Sequence, residues 1–289
     1  VKALITGAGG QLGQELQAAA PGGWTLRALA HRELDIGDGG AVAAAVAEFR
    51  PDVIVNAAAW TAVDRAEAEP EAAWRVNADG AEHVARAAAA CGARLVHLST
   101  DYVFGGAERR AHAPDDPVAP RGVYACSKAE GERRVLAAAP GLAWVVRTAW
   151  LYSAHGRNFV STVLELLRTR PRITIVDDQV GTPTWARELA VALWRGAAMP
   201  ALTGIGHWTD DGRCTWYEFG VAIRDEARTL GLIDGAGEIV PVATANYPTT
   251  APRPAYSVLD KDSTWRALGL RGRPWRDCLR GMLKEVAAG

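Results

Sequence analysis

Tyr124-Ala-Cys-Ser-Lys128 offers a phenol and an ammonium four residues apart at the start of a predicted helix. That spacing puts both side chains on one helix face, about 5 to 6 Å apart at Cβ. A cation about 4 Å from a phenol, at an effective dielectric of about 20, favours the phenolate by about 4 kcal/mol, or about three pKa units before desolvation opposes it. The pairing therefore predicts a tyrosine whose pKa moves from about 10 toward about 7, where it can act as a proton donor. With six Tyr and four Lys in 289 residues, the spacing arises by chance only about 0.08 times, so it is informative without being decisive.

Such a pair needs a scaffold, and the N-terminus provides the first sign of one. Val1 to Thr6 reads as a short buried strand, followed at once by Gly7-Ala-Gly-Gly10-Gln-Leu-Gly13 and a helical run over 14–20. Gly7 suits a tight turn, Gly10 lets backbone approach a pyrophosphate, and Gly13 lets the helix pack on the strand. The second strand, 24–30, ends in Ala30-His31-Arg32, with no carboxylate there for the ribose hydroxyls that an NAD site would hold. Arg32 instead suits a 2′-phosphate, which favours NADPH, with NADH as the alternative. Asp35-Ile36 either reaches the adenine edge or, through Asp35, caps a helix over 41–49.

Two further strands end in chemistry. Residues 52–56 run into Ala57-Ala58-Ala59, bare backbone of the kind a cofactor lying across a strand end requires. Residues 71–91 read as one long helix, with Asn77 able to hydrogen-bond across the sheet. Residues 94–101 end in Ser99-Thr100-Asp101, polar groups at the carboxyl edge where open α/β sheets bind ligands. The fold class expected is α/β, a Rossmann-type doubly wound parallel sheet with a smaller C-terminal α/β substrate domain.

Composition narrows the partners. With 49% apolar residues there is ample material for a core, and 32 basic against 33 acidic residues, net −1, leave no basic patch for nucleic acid or an anionic membrane. No run approaches 18 apolar residues and the chain enters a strand directly, which predicts a cytoplasmic protein with a small-molecule ligand. Cys91, Cys126, Cys214 and Cys278 lie far apart, without metal-ligand spacing, and are expected to be reduced and buried.

After the strand 143–148 the pattern breaks into short helices and proline-punctuated loops. The expected division is a nucleotide-binding domain over 1–150 and a substrate domain over 151–289, with about 184–210 returning to the first. Within the second, 156–169 leads into a helix, 172–176 is a short strand and 184–194 another helix. Tyr247-Pro-Thr-Thr-Ala-Pro-Arg253-Pro is a rigid loop expected to face the cleft, where Arg253 can meet a diphosphate bidentately or stay on the surface.

Taken together, Gly7-x-x-Gly10-x-x-Gly13, Ser99-Thr100 and Tyr124-x-x-x-Lys128 resemble the extended short-chain dehydrogenases/reductases, in that family's order. The chain is more closely similar to one branch, the dTDP-4-dehydrorhamnose reductases, in Gly-Gln-Leu-Gly (10–13), Asn-Ala-Ala-Ala (56–59), Thr-Ala-Val-Asp-Arg-Ala-Glu (61–67) and Ser-Thr-Asp-Tyr-Val-Phe (99–104). The likeness continues through Arg-Thr-Ala-Trp-Leu-Tyr (147–152), Asn158-Phe159, Asp-Asp-Gln (177–179), Thr-Pro-Thr (182–184) and Arg-Pro-Ala-Tyr-Ser-Val-Leu-Asp (253–260).

The resemblance implies NADPH-dependent reduction of the C4 ketone of a dTDP-4-keto-6-deoxy sugar, with Thr100, Tyr124 and Lys128 as the catalytic trio. It implies cofactor contacts at Gly10, Gln11, Leu12, Asp35, Ile36, Ala58, Ala59 and Trp60, besides Tyr124 and Lys128, and substrate contacts at Thr100, Asp101 and Trp150. Trp60, where His or Tyr is more familiar, and Ala125, in place of a Gly, depart from the pattern beside the site. Some members of that family form homodimers through Mg2+ held by glutamates. Glu15 and Glu188 stand in corresponding contexts here, but two carboxylates without a third ligand assign no metal to the site.

Two rival functions are a dehydratase or epimerase on the same fold and a non-catalytic NADP-binding regulatory subunit. Dehydratases of this type typically follow the Thr with Asp-Glu, whereas Thr100-Asp101 is followed by Tyr102. The intact Thr, Tyr and Lys weigh against a silent subunit.

Overall fold

The computed structural model describes residues 1–234 and 237–288. Its centre is a six-stranded parallel sheet. The first half of the chain supplies β1 (Lys2–Thr6), β2 (Thr25–Leu29), β3 (Val53–Asn56), β4 (Arg94–Thr100) and β5 (Ala143–Thr148), and β10 (Gly204–His207) closes one edge. The order is β10-β5-β4-β3-β1-β2, so β1 lies between β2 and β3 and the winding reverses there. At such a switch point the strand ends diverge and leave a crevice.

These strands form because their residues are apolar on both faces, as parallel sheets covered by helices require. Successive side chains point to opposite faces, so one strand feeds two cores. Ile5, Val55, Val96 and Val146 join a core with α1 (Gln11–Ala18) and α8 (Ala186–Ala197). Leu4, Ile54, Leu95 and Val145 join the opposite core with α2 (Gly39–Phe49), α5 (Ala81–Cys91) and α6 (Gly122–Ala138).

The run read as one helix over 71–91 is more broken. After α3 (Val63–Ala68), α4 (Pro70–Trp74) passes into a π-helical turn at Arg75–Gly80 before α5 begins. Pro70 opens the helix, which is where its missing N–H costs least. Asp35 does not cap α2. Asp38 does, accepting from the Ala41 N–H at 3.0 Å, while Asp35 accepts from the Gly37 N–H at 2.9 Å and pairs with Arg75 at 2.8 Å.

The remaining chain builds a third core from Tyr152, Val160, Leu164, Phe219, Ile223 and Leu279. It holds β6 (Leu151–Tyr152) against β9 (Thr184–Trp185), β7 (Arg172–Val176) against β12 (Glu238–Val242) and β8 (Val180–Gly181) against β11 (Cys214–Thr215). Its helices are α7 (Phe159–Thr169), α9 (Trp216–Thr229) and α11 (Trp275–Ala288), with α10 (Asp262–Leu268) beside β10. The helix expected over 184–194 starts at Ala186, because Thr184 and Trp185 pair with β6 first. Cys214 and Cys278 are buried, but Cys91 is exposed and Cys126 half-buried, contrary to expectation. Cys91 falls at the very end of α5, where the helix leaves the core. No helix among the described residues is long and apolar enough to cross a membrane.

Candidate active site

Two adjoining cavities open at the switch point. The first, about 830 Å³, is lined by Gly7, Gly9, Gly10, His31, Arg32, Asp35, Ile36, Ala57, Ala58, Ala59, Trp60 and Arg75. The second, about 450 Å³, is lined by Gln11, Leu12, Thr100, Asp101, Tyr124, Lys128, Trp150, Arg157, Asn158 and Trp216, among others. Gly10, Ala57 and Ala59 border both. Every candidate site residue named from the sequence lines one of them, except Arg253.

The first cavity is shaped by backbone. Gly7 has φ +70°, and a Cβ there would sit 2.6 Å from the Ala58 nitrogen. Gly13 lets α1 press onto the turn, since its Cβ would meet the Gly7 carbonyl at 2.3 Å. A glycine cradle at the start of a helix, beside His31 and Arg32, suits the phosphates of a dinucleotide. Opposite the cradle, the Ala57–Trp60 turn hangs on Asn77. The Asn77 amide accepts from the Trp60 N–H at 2.9 Å, and its Nδ2 donates to the Trp60 carbonyl at 3.1 Å and to the Ser127 hydroxyl at 3.1 Å. The π-helical turn thus ties the cavity wall to α6, a use typical of such turns.

Helix α6 carries Tyr124 and Lys128. Its first turn has no side-chain cap of its own, and the Glu67 carboxylate on α3 accepts from the Val123 N–H at 2.8 Å. Lys128 is 2% exposed and donates through Nζ to the Leu98 carbonyl at 2.6 Å. Burial pulls the Lys128 ammonium down to about 8, with Glu132 opposing. Beneath it His97 is held neutral, by burial first and by the Lys128 charge second, while the Asn56 amide lies 3.1 Å from its Nδ1.

The phenol departs from expectation. Burial pushes Tyr124 up to about 12, the Thr100 side chain opposes and the Asp101 charge adds to the rise. The predicted fall toward 7 is absent because desolvation prevails and the lysine ammonium is turned to a strand carbonyl. Tyr124 packs edge-on against Tyr102, ring centroids 5.7 Å apart.

At the end of β4, Thr100 caps a short 3₁₀ turn, accepting from the Tyr102 N–H at 3.1 Å and donating to Asp101 Oδ1 at 3.1 Å. Burial lifts the Asp101 carboxyl to about 7 against hydrogen bonds from Ser257 and Thr100. Among the described residues its Oδ2 has no partner. Across the cleft Trp150, at φ +46°, stacks on Trp216 with centroids 3.5 Å apart. Gln11 ties the glycine turn to the start of α7, its Oε1 accepting from Asn158 Nδ2 at 3.0 Å and Ser153 Oγ at 3.3 Å.

Arg253 does not line the cleft but stands beside it, in a pocket that shares Tyr102 with it. It donates to Asp64 at 2.6 Å and to the Ala251 carbonyl at 3.1 Å, and lines a smaller pocket with Tyr102, Phe104 and Arg121. The cleft's exposed cation is Arg157, which makes no hydrogen bond or ion pair among the described residues. Arg157 and Trp216 escaped the sequence reading, as did Arg75. The Thr215-x-x-Glu218 capping box marks the start of α9 and gave the one available signal for Trp216.

The glutamates expected near a dimer-bridging metal are engaged by guanidinium groups. Buried Glu15 accepts from Arg187 at 3.0 Å, Arg187 also pairs with Glu285, and Glu188 pairs with Arg273 at 3.0 Å. Among the described residues no group of three His, Cys, Asp or Glu is placed to hold an ion. Within this chain these carboxylates pair with arginines and are not grouped about an ion.

A doubly wound sheet with a glycine cradle at its switch point and a Tyr-Lys helix beside it defines an extended dinucleotide-binding oxidoreductase scaffold. The chain belongs to the RmlD substrate binding domain family, whose pattern matches residues 1–288. It is 47% identical over 282 residues to the dTDP-4-dehydrorhamnose reductase of Streptomyces griseus, covering 96% of this chain and 91% of that one. It is 43% identical to a probable dTDP-4,6-dihydroxy-2-methyloxan-3-one 4-ketoreductase of Streptomyces antibioticus, covering 99% and 95%. A crystal structure of dTDP-4-dehydrorhamnose reductase from Bacillus anthracis in complex with NADP superposes with TM-score 0.92 at 35% identity, covering 98% and 99%.

Proposed function

We propose that the protein reduces the C4 ketone of dTDP-4-dehydro-L-rhamnose, or of a closely related dTDP-4-keto-6-deoxyhexose, with NADPH. The observation that carries this reading is the meeting of Thr100, Tyr124 and Lys128 in one cleft that adjoins the glycine-cradled cavity. Residues 1–150, with about 184–210, would hold the dinucleotide, and the remainder of 151–289 the sugar nucleotide.

His31 and Arg32 on the cavity wall suit a 2′-phosphate, while Asp35 is already paired with Arg75. NADPH, when bound, supplies the hydride that reaches the sugar C4. As the carbonyl π electrons move onto oxygen, Tyr124 gives its O–H proton to the developing alkoxide, and the phenolate regains a proton from solvent. The Thr100 hydroxyl, turning its proton from Asp101 Oδ1 to the same oxygen, gives the growing charge a second donor. Lys128 would hold the nicotinamide ribose, and its positive charge favours the transient phenolate. Asp101 Oδ2, without a partner among the described residues, accepts from a sugar hydroxyl, and Trp150 lines the same cleft.

Tyr102 in the position after Thr100-Asp101 leaves the cleft without the second carboxylate that elimination would use. Net loss of NADPH absorbance with dTDP-4-dehydro-L-rhamnose, in a panel of dTDP-4-keto-6-deoxy sugars, is the expected result. Turnover without net NADPH oxidation would instead assign a dehydratase or epimerase.

A further inference from the structure

One helical turn beyond Lys128, Glu132 is 4% exposed and is gripped from β5 by Arg147, itself 2% exposed. Nε and Nη2 of the guanidinium donate to the two carboxylate oxygens at 2.9 and 2.7 Å. The rest of Arg147 is fixed as well. Nη1 donates to the Pro114 carbonyl at 3.2 Å, and the guanidinium carbon lies 4.9 Å from the Phe104 ring centroid. His207 Nε2 stands 3.4 Å from Nη1, and His207 is held down at about 3 by burial first and the Arg147 charge second.

A buried ion pair is weak evidence for stability, because desolvating both charges offsets much of their attraction. Its position suggests another use. Among the described residues Lys128 Nζ donates only to the Leu98 carbonyl, and an ammonium so far out of water tends to shed its proton. The titratable groups coupled to it are His97 on β4 and Glu132 one turn later on α6, while Asp101 and Tyr124 line the same cleft. Of these, His97 is neutral and Asp101 and Tyr124 are held toward their protonated forms by burial. Glu132 is the remaining anion, and Arg147 fixes where its charge sits.

We propose that Glu132, held by Arg147 one helical turn from Lys128, is a positioning residue that keeps the buried Lys128 ammonium charged, and so sets the alkaline limit of the reaction. This rests on the role given to Lys128 above. Glu132→Gln alone leaves the Arg147 charge buried without a partner and risks the fold. Glu132→Gln/Arg147→Met removes both charges and keeps the volume filled.

The test uses the full chain saturated with NADP⁺ and lysine labelled with 13C at Cε, whose four signals are assigned by loss of one in Lys128→Met. The Lys128 signal should titrate at a lower pH in the double variant than in the parent, because Glu132 favours the charged ammonium. The alkaline limb of kcat/KM moves down with it. An unmoved midpoint and limb in a folded double variant would overturn the proposal, leaving the pair a structural clamp. Parent-like turnover by Lys128→Met would instead remove the role given to Lys128, whatever the titration reads.

Discussion

Arg253 donates to the Asp64 carboxylate at 2.6 Å, which binds the proline-rich loop to α3 and keeps this guanidinium out of the Thr100–Tyr124 cleft. Arg157, one residue before the Asn158 cap of α7, lines that cleft instead. Arg157→Ala should raise KM for the sugar nucleotide by about tenfold or more, the scale of a charge-assisted hydrogen bond to a diphosphate. Arg253→Ala should leave KM within about twofold and cost about 1 kcal/mol of stability, as a partly exposed pair does. Steady-state kinetics and urea melts of both variants check this, and the reverse ranking of KM would restore Arg253 to the site.

In the cofactor-free protein the Tyr124 phenol is held up to about 12. Ultraviolet difference titration of the parent against Tyr124→Phe should therefore show no ionisation of this ring near neutrality. A midpoint near 7 would mean that the lysine charge prevails over burial after all.

Asp101 gives a stability signature. Its carboxyl titrates near 3.9 when unfolded and near 7 when folded, so between those values the folded state binds more protons and stability falls as pH rises. The full span corresponds to about 4 kcal/mol as an upper scale. Asp101→Asn removes the titration. Relative to the parent, the variant should gain melting temperature as pH rises from about 4 to about 7, then hold level. A parent-minus-variant difference that is flat with pH would contradict the assignment.

Gly131 touches the Asn77 carbonyl so closely that a Cβ would sit 2.1 Å from its oxygen. Gly131→Ala must push α6 away from the π-helical turn and strain the Asn77–Ser127 hydrogen bond. About 1 to 3 kcal/mol of stability should be lost, and kcat should fall because Tyr124 and Lys128 ride on the same helix. Parent-like melting and turnover would show that this contact does not position the helix.

The sequence made the scaffold legible where local chemistry and topology agree. Gly7, Gly10 and Gly13 announce a turn that only glycines fit, and the apolar runs at 2–6, 53–56, 94–100 and 143–148 became neighbouring parallel strands. Tyr124 and Lys128 were legible because their spacing alone puts them on one face. What failed depended on distant partners. Nothing near Arg253 in the chain announces Asp64, 189 residues away, and nothing near Lys128 announces that its ammonium turns to the Leu98 carbonyl. The π-helical turn at 75–80 was hidden for a similar reason. Its cause is packing, with Gly80 under Ile36 and Gly131 under the Asn77 carbonyl, and not propensity.

In the proposed reaction hydride passes to the sugar C4 while Tyr124 protonates the oxygen. Reduction of dTDP-4-dehydro-L-rhamnose with NADPH deuterated at the transferring position should place one deuterium on C4 for each NADP⁺ formed. Tyr124→Phe should slow that transfer by about 10²-fold or more. A product without deuterium at C4, or a Tyr124→Phe variant transferring it at the parent rate, would contradict the account.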